Sequence, residues 1–319
     1  MRSVSCPACE VKTADLLFEQ EVPGLVKARL VRCRGCGMGY LDPQPDPGEI
    51  APYYEKEYYG GSGAKFVASV ERLRARVARR RARRLAGGLP PGARVLDVGC
   101  GDGRLLAAFA ALGYRAVGTE RAGRYPRGLS SLSGVEIRPG DLTEAALGEG
   151  QFDLCIYWHV LEHLHDPRAT LARARGVLKP GGRLVIAVPN LDSLQARWSG
   201  PAWFHLDIPR HLYHFTPKSL AKLLLRSGFN LQSVGHYAIE QNPFGILQSV
   251  LNRWSGRGIS DNRLYEYLKG NSEEISAPRR FGFRAVYWAG MPVALFLSAL
   301  ESMIGRGGTI EAWAIREPR

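Results

Sequence analysis

The sequence predicts an α/β protein. A doubly wound parallel sheet follows a small cysteine-built knuckle and carries a helical insertion near its end. Three observations carry that expectation. From Arg94 onward, short apolar runs alternate with amphipathic stretches, which is the texture of βαβ units. The first of those runs, VLDVGCGDG (95–103), passes straight into a glycine-rich turn. Ahead of it all, Cys6, Cys9, Cys33 and Cys36 form a CxxC–x23–CxxC array.

Composition sets the bounds. The chain has 319 residues, 45% apolar and 23% charged, which excludes a fibrous or largely disordered protein and leaves material for a sizeable core. The opening MRSVSCPACE lacks an apolar h-region, so no secretory signal is expected and the location is read as cytoplasmic. The longest uncharged apolar run, Ala285 to Leu300, has 16 residues and includes Pro292. Spanning a bilayer takes about 20, so no spanning helix is expected.

Taken in order, residues 1–45 read as a metal knuckle. Four thiolates in two close pairs complete a tetrahedral Zn2+ shell with no position left for catalysis. The ion then acts as a structural staple, because so few residues bury too little to fold alone. Cys100 and Cys155 stand apart inside apolar runs.

Residues 46–93 read as linker and helix. LDPQPDPGE (41–49) is turn-like, Tyr53, Tyr54, Tyr58 and Tyr59 cluster, and GGSG (60–63) follows. A helix is expected over 66–86, ending at Gly87-Gly88. Its stretch 71–84 holds eight Arg and one Glu, a large share of the net charge of +13. Such a run binds nucleic acid or anionic lipid, or else forms a solvated helix face.

In 94–319, strands are expected at 94–98, 115–119, 134–137, 152–157 and 183–188, with helices near 103–112, 123–131 and 167–178. Thr216 and Pro217 open a helix over 216–227 that stops at Gly228, and two more strands fit 229–239 and 308–316.

The chemistry centres on 95–103. Gly99, Gly101 and Gly103 let the backbone approach a ligand and expose N–H groups at a helix start. A phosphate-binding fingerprint prefers G-x-G-x-x-G, and here Asp97 precedes the turn and would repel a pyrophosphate. It suits a cationic amino-acid ligand. Glu120, at the end of the second strand, is placed to hold two ribose hydroxyls, and Asp141-Leu142 to meet an adenine edge and face.

On these segments the chain resembles the class I S-adenosylmethionine-dependent methyltransferases, specifically those related to ubiquinone-biosynthesis O-methyltransferases. VLDVGCGDG looks like their first motif and Glu120 like the acidic end of the second strand. GDL (140–142), FDLCIYWHVLEHLHDP (152–167) and LKPGGRLVIAVPN (178–190) match the following three. The resemblance implies a Rossmann-like seven-stranded sheet with an antiparallel last strand. It implies S-adenosylmethionine held by Asp97, Gly99, Cys100, Gly101, Gly103, Glu120, Asp141, Leu142 and His159. Some relatives place divalent-metal ligands in an E-x-x-E-H motif after the fourth strand. Here the positions read His159-x-x-Glu162-His163, so the resemblance stops short of a catalytic metal.

Methyl transfer to a hydroxyl requires removal of a proton, and histidine suits that near neutral pH. The candidates are His159, His163, His211 and His214. Cysteine-rich amino-terminal domains precede this fold in some sugar C-methyltransferases and in certain ribosomal-RNA guanine methyltransferases. The expected acceptor is therefore a small molecule, a sugar or glycan, or a lipid-linked molecule, with RNA as the alternative. A non-enzymatic zinc-ribbon binding protein is the third reading, and the full set of motifs weighs against it. Residues 241–306 read as an insertion before the last strand. Its apolar stretch FGFRAVYWAGMPVALFLSALESMI must be buried in the protein, in a homodimer, or peripherally in a membrane, where Arg279, Arg280 and Arg284 beside Tyr287 and Trp288 would suit the interface.

Overall fold

The computed structural model describes residues 4–22, 24–54, 68–121, 132–255, 262–268 and 277–317. Along the chain come β1 (Ala14–Val22), β2 (Leu25–Cys33) and β3 (Gly39–Leu41). The proline-rich linker then closes on a short turn, α1 (Pro47–Ile50), in which Asp46 and Glu49 each accept the other's backbone N–H at 2.9 Å. The basic helix α2 (Ala68–Ala86) leads into β4 (Arg94–Val98), α3 (Arg104–Ala110), β5 (Arg115–Glu120), β6 (Val135–Pro139) and β7 (Phe152–Trp158). Next are α4 (Pro167–Val177), β8 (Leu178–Pro189), α5 (Leu194–Ser199), β9 (Tyr213–His214), α6 (Pro217–Arg226) and β10 (Phe229–Gly235). The chain finishes with α7 (Asn242–Ser255), α8 (Arg263–Leu268), α9 (Ala277–Met303) and β11 (Thr309–Arg316). The helix expected near 123–131, together with Tyr58, Tyr59 and the GGSG segment, lies outside the described residues.

Contacts divide the chain into two compact units: 1–71 with 189–219 and 235–310, and 72–188 with 220–234 and 311–319. The expected boundaries at 45 and 93 follow sequence texture, whereas this grouping follows contacts. The linker-and-helix stretch is split between the units, and much of the last third belongs with the cysteine-rich end.

The second unit is the expected α/β layer. Its seven strands run in the order β10-β11-β8-β7-β4-β5-β6, with one antiparallel strand. Strand β4 lies between β5 and β7, parallel to both, and Asp97 is level with Gly118 on one side and Ile156 on the other. Val95, Leu154, Ile156 and Val185 from the sheet pack with Leu106 and Phe109 of α3 and with Ala82 and Leu85 of α2. Such strands read as nearly continuous apolar runs because both of their faces are covered. Helix α6 has the expected cap, with Thr216 Oγ1 accepting the Ser219 N–H at 3.1 Å. The strand expected at 183–188 begins earlier, at Leu178.

The first unit contains a second sheet, β1-β2-β3-β9, that the sequence reading missed. β1 and β2 form an antiparallel hairpin between the two cysteine pairs. β9 then pairs with β3, setting Gly39 against His214 and Tyr40 against Tyr213. Helices α7, α8 and α9 share a small apolar core around Leu247, Leu264, Leu268 and Ala294.

Helix α9 runs unbroken for 27 residues with Pro292 inside it, well beyond the 16-residue apolar run at its centre. Its segment Phe281–Met303 is long and apolar enough to cross a membrane, yet only 11% of its most apolar window is buried in the protein. Much of its surface is therefore left uncovered by the protein.

Candidate functional site

At the C-terminal end of β4 the chain turns sharply through Gly99, Gly101 and Gly103, all at positive φ. A Cβ at Gly99 would strike Val160 at 2.7 Å, whereas one at Gly101 would meet nothing within 4 Å. The first glycine allows the strand end to pack against the β7 turn, and the second leaves the loop face open to a ligand. Glu120, at the end of β5, holds this loop: its carboxylate accepts the Gly101 N–H at 2.8 Å and the Arg121 N–H at 2.9 Å. A carboxylate has about four acceptor positions, so lone pairs remain for two ribose hydroxyls. Cys100 is buried, donates its N–H to the Thr119 carbonyl at 3.0 Å, and has a thiol pushed up by that burial.

Asp97 is 3% exposed, and burial together with the nearby Glu120 and Asp102 carboxylates pushes it up to about 7, against the pull of Arg81. Such a group favours a cation over a phosphate. The free protein holds the Asp97 proton below about pH 7, and a cationic ligand favours the ionised form. Affinity for that ligand should therefore fall by up to about tenfold per pH unit below 7. Titration calorimetry from pH 8 to 6 checks this, and an Asp97→Asn variant should lose the slope.

Asp141 stands exposed past β6 with Oδ1 accepting the Thr143 N–H at 2.7 Å, and Leu142 beside it is 1% exposed. Asp141 presents a fixed polar edge, and the buried Leu142 anchors the turn beneath it.

His159 follows β7 with a φ of +54°, a left-handed conformation that a non-glycine side chain adopts at a cost of about 1–3 kcal/mol. Its Nδ1 faces Glu162 Oε1 at 3.3 Å, and its Nε2 is buried with no hydrogen-bond partner in the protein. Burial and the Arg81 charge hold it down to about 3, so it is a neutral imidazole and not half of an ion pair. His163 lies on the same turn, half-buried.

The other two histidines lie in the first unit. His211 Nδ1 donates to the His205 carbonyl at 2.9 Å, and its Nε2 is 3.6 Å from Asp207. His214 is 1% exposed, ties Nε2 to the Leu206 carbonyl at 2.9 Å, and is held down to about 4 by burial. It is a fixed neutral strut of the β3–β9 pairing.

The basic helix carries residues that sequence reasoning missed. Arg81 is stacked 3.6 Å over the Trp158 ring, with burial lowering it to about 9. Arg74 pairs with Asp102 at 2.9 Å, and Arg84 grips Glu311 with both guanidinium nitrogens. Three arginines expected to face solvent, lipid or nucleic acid thus brace the glycine turn, the end of β7 and the last strand. A clue was present in their spacing, because Arg74, Arg81 and Arg84 share a helical stripe with the apolar Val77 and Leu85.

In the first unit, Cys6 and Cys36 Sγ lie 3.4 Å apart, as do Cys9 and Cys33, and all four sulfurs fall within 4.8 Å of one another. None forms a disulfide. A tetrahedral zinc with bonds of about 2.3 Å separates its sulfurs by about 3.8 Å, so the cluster fits the ion. Each pair is shaped by its own tight turn: the Glu10 N–H returns to the Cys6 carbonyl at 2.7 Å and the Gly37 N–H to Cys33 at 2.9 Å.

The comparisons with known proteins agree with this geometry. A family described as a methyltransferase domain matches residues 70–234. The ubiquinone biosynthesis O-methyltransferase of Dinoroseobacter shibae is 34% identical over 174 residues, covering 51% of this chain and 69% of its own length. An uncharacterized 37.1 kDa protein in transposon TN4556 of Streptomyces fradiae is 34% identical over 161 residues, but the match spans only 45% of each chain. Among solved structures, the 1,6-didemethyltoxoflavin-N1-methyltransferase of Burkholderia thailandensis, with S-adenosylhomocysteine bound, aligns with a TM-score of 0.50 at 17% identity. That alignment covers 94% of this chain and 99% of the other. The SpnF cyclase aligns with a TM-score of 0.52 at 17% identity, over 86% and 98%. A cyclase on the same fold shows that such likeness speaks for architecture alone. The family match and the closer relatives carry the rest: this chain belongs to the class I S-adenosylmethionine-dependent methyltransferases.

Proposed function

We propose that the protein transfers a methyl group from S-adenosylmethionine to a hydroxyl of a small-molecule, glycan or lipid-linked acceptor, and that Cys6, Cys9, Cys33 and Cys36 hold one structural zinc. The observation that carries the cofactor assignment is the buried Asp97 level with a glycine turn that Glu120 fastens through the Gly101 N–H. Asp97 and the turn of Gly99, Cys100, Gly101 and Gly103 would take the methionine part, Glu120 the ribose, and Asp141 with Leu142 the adenine. His159 Nε2 is the acceptor for a cofactor N–H. Its neutrality matters, because an imidazolium there would repel a sulfonium.

When bound, the cofactor supplies an electrophilic methyl carbon. The protein's part is to orient the acceptor and take its proton. His163 best fits the base: it sits in the same unit as the cofactor residues, on the turn after β7, and it is only half-buried, whereas His159 and His214 are too acidic as conjugate acids. His211 is the second candidate. The inward use of Arg74, Arg81 and Arg84 removes much of the argument for an RNA acceptor.

Replacing Glu120 by Ala should weaken cofactor binding about 5- to 150-fold, the effect of roughly 1–3 kcal/mol for polar partners left unmatched. Calorimetry checks it, and unchanged affinity would overturn the cofactor assignment. Labelled methyl supplied to fractionated lipid, nucleotide-sugar and RNA pools identifies the acceptor class, and label entering RNA alone would overturn the hydroxyl-acceptor reading.

A further inference from the structure

Helix α9 presents an apolar face that the protein itself leaves uncovered. Phe281 is 76% exposed, Trp288 68%, Phe296 63% and Met303 82%. These positions recur at helical spacing along one side. The opposite side is occupied. Phe283, Tyr287, Met291 and Ala294 pack with Leu247, Leu264 and Leu268, and a Cβ at Gly290 would meet Leu247 at 2.7 Å.

The charge pattern says what the free side suits. The one acid in α9, Glu301, turns inward, accepting from Gln195 Nε2 at 2.6 Å and from the Gly308 N–H at 3.1 Å. No carboxylate therefore stands on the exposed side. Arg279, Arg280 and Arg284 crowd the start of the helix, where Arg284 is exposed and the other two side chains lie outside the described residues. An apolar strip with aromatic side chains, headed by cations and free of exposed acids, is complementary to a bilayer surface with anionic headgroups. A soluble acidic partner would answer the arginines but not a strip that runs the length of the helix.

We infer that α9 lies in the plane of an anionic membrane, its Phe281–Trp288–Phe296–Met303 side embedded at the headgroup boundary and its other side holding α7 and α8. In-plane docking follows from the packing. Crossing the bilayer, which the length and hydropathy of 281–303 would allow, would strip the helix from Leu247 and carry the Glu301 carboxylate from its partners into hydrocarbon. The inference is independent of the acceptor's identity.

Flotation of the full-length protein with vesicles tests it. With equal parts phosphatidylglycerol and phosphatidylcholine at low salt, the protein should float. With phosphatidylcholine alone, or for Trp288→Ser/Phe296→Ser in mixed vesicles, the bound fraction at limiting lipid should fall at least tenfold. Both positions are exposed, and retained cofactor binding by the double variant confirms its fold. Three results would overturn the inference. They are wild-type protein that stays in solution with mixed vesicles, equal flotation of the double variant, or a stable dimer by light scattering that the double variant splits.

Discussion

Replacing His163 by Asn should lower turnover about 10²–10⁴-fold while cofactor affinity stays within about twofold. The size follows from the role. Without a positioned base, the acceptor hydroxyl must lose its proton to water as the new C–O bond forms, and asparagine keeps the side chain's bulk without an imidazole lone pair. Single-turnover methyl transfer, measured beside calorimetric titration, separates chemistry from binding. The other histidines supply the contrast. His159→Asn should weaken cofactor binding, because its Nε2 is buried with no partner in the protein and its conjugate acid, at about 3, is a poor proton store at neutral pH. His214→Asn should act on stability, since that ring is tied to the Leu206 carbonyl inside a sheet. A His163→Asn enzyme with full activity, beside a collapse in His211→Asn, would move the base to the 204–212 loop. If all four variants stay active, the nucleophile is a carbon, a thiol or a hydroxyl that ionises unaided.

The parts of this molecule that were legible in its sequence are those set by local chemistry. The strands of the second unit announce themselves because burial on both faces demands unbroken apolar runs, and VLDVGCGDG declares its turn because Gly99 must clear Val160. The cluster of four cysteines was readable because a metal site demands both the residue type and the CxxC spacing. What stayed hidden depends on long-range pairing. Tyr213 and His214 form only a two-residue strand, and nothing near them in sequence says that Gly39 and Tyr40 complete it. That pairing makes the cysteine-rich end part of a larger unit. Arg81 was misread for a related reason: an arginine amid arginines looks solvated until Trp158 is brought beneath it. Helix α9 was legible only as a choice between burial sites, because the strip that stays bare is set by where α7 and α8 run out.

Freshly purified protein should carry about one zinc per chain, and Cys33→Ser should abolish that zinc and loosen the sheet that follows it while leaving cofactor binding within about threefold. Paired sulfurs 3.4 Å apart cannot all be thiolates without a cation between them. Zinc binding must therefore expel protons, and acid should release the metal. The consequence reaches past the knuckle. Cys33 ends β2, β2 pairs with β3, and β3 pairs with β9, so losing the ion loosens the sheet as far as His214. The loop 204–212, which holds His211, is fastened to that sheet, the Leu206 carbonyl to His214 of β9 and the Leu212 carbonyl to the Leu41 N–H of β3. Structural zinc in isolated finger peptides is worth about 10–16 kcal/mol of apparent folding energy, ample to decide whether so small a sheet persists. Asp97, Glu120 and the glycine turn all lie in the other unit, which is why cofactor binding should survive. Metal analysis, hydrogen exchange over 25–41 and 213–214, and cofactor titration of the same variant make the test. A freshly purified, zinc-free preparation with that sheet protected from exchange would remove the ion from the design altogether. Cofactor binding lost together with the sheet would mean that the second unit cannot hold its fold without the first.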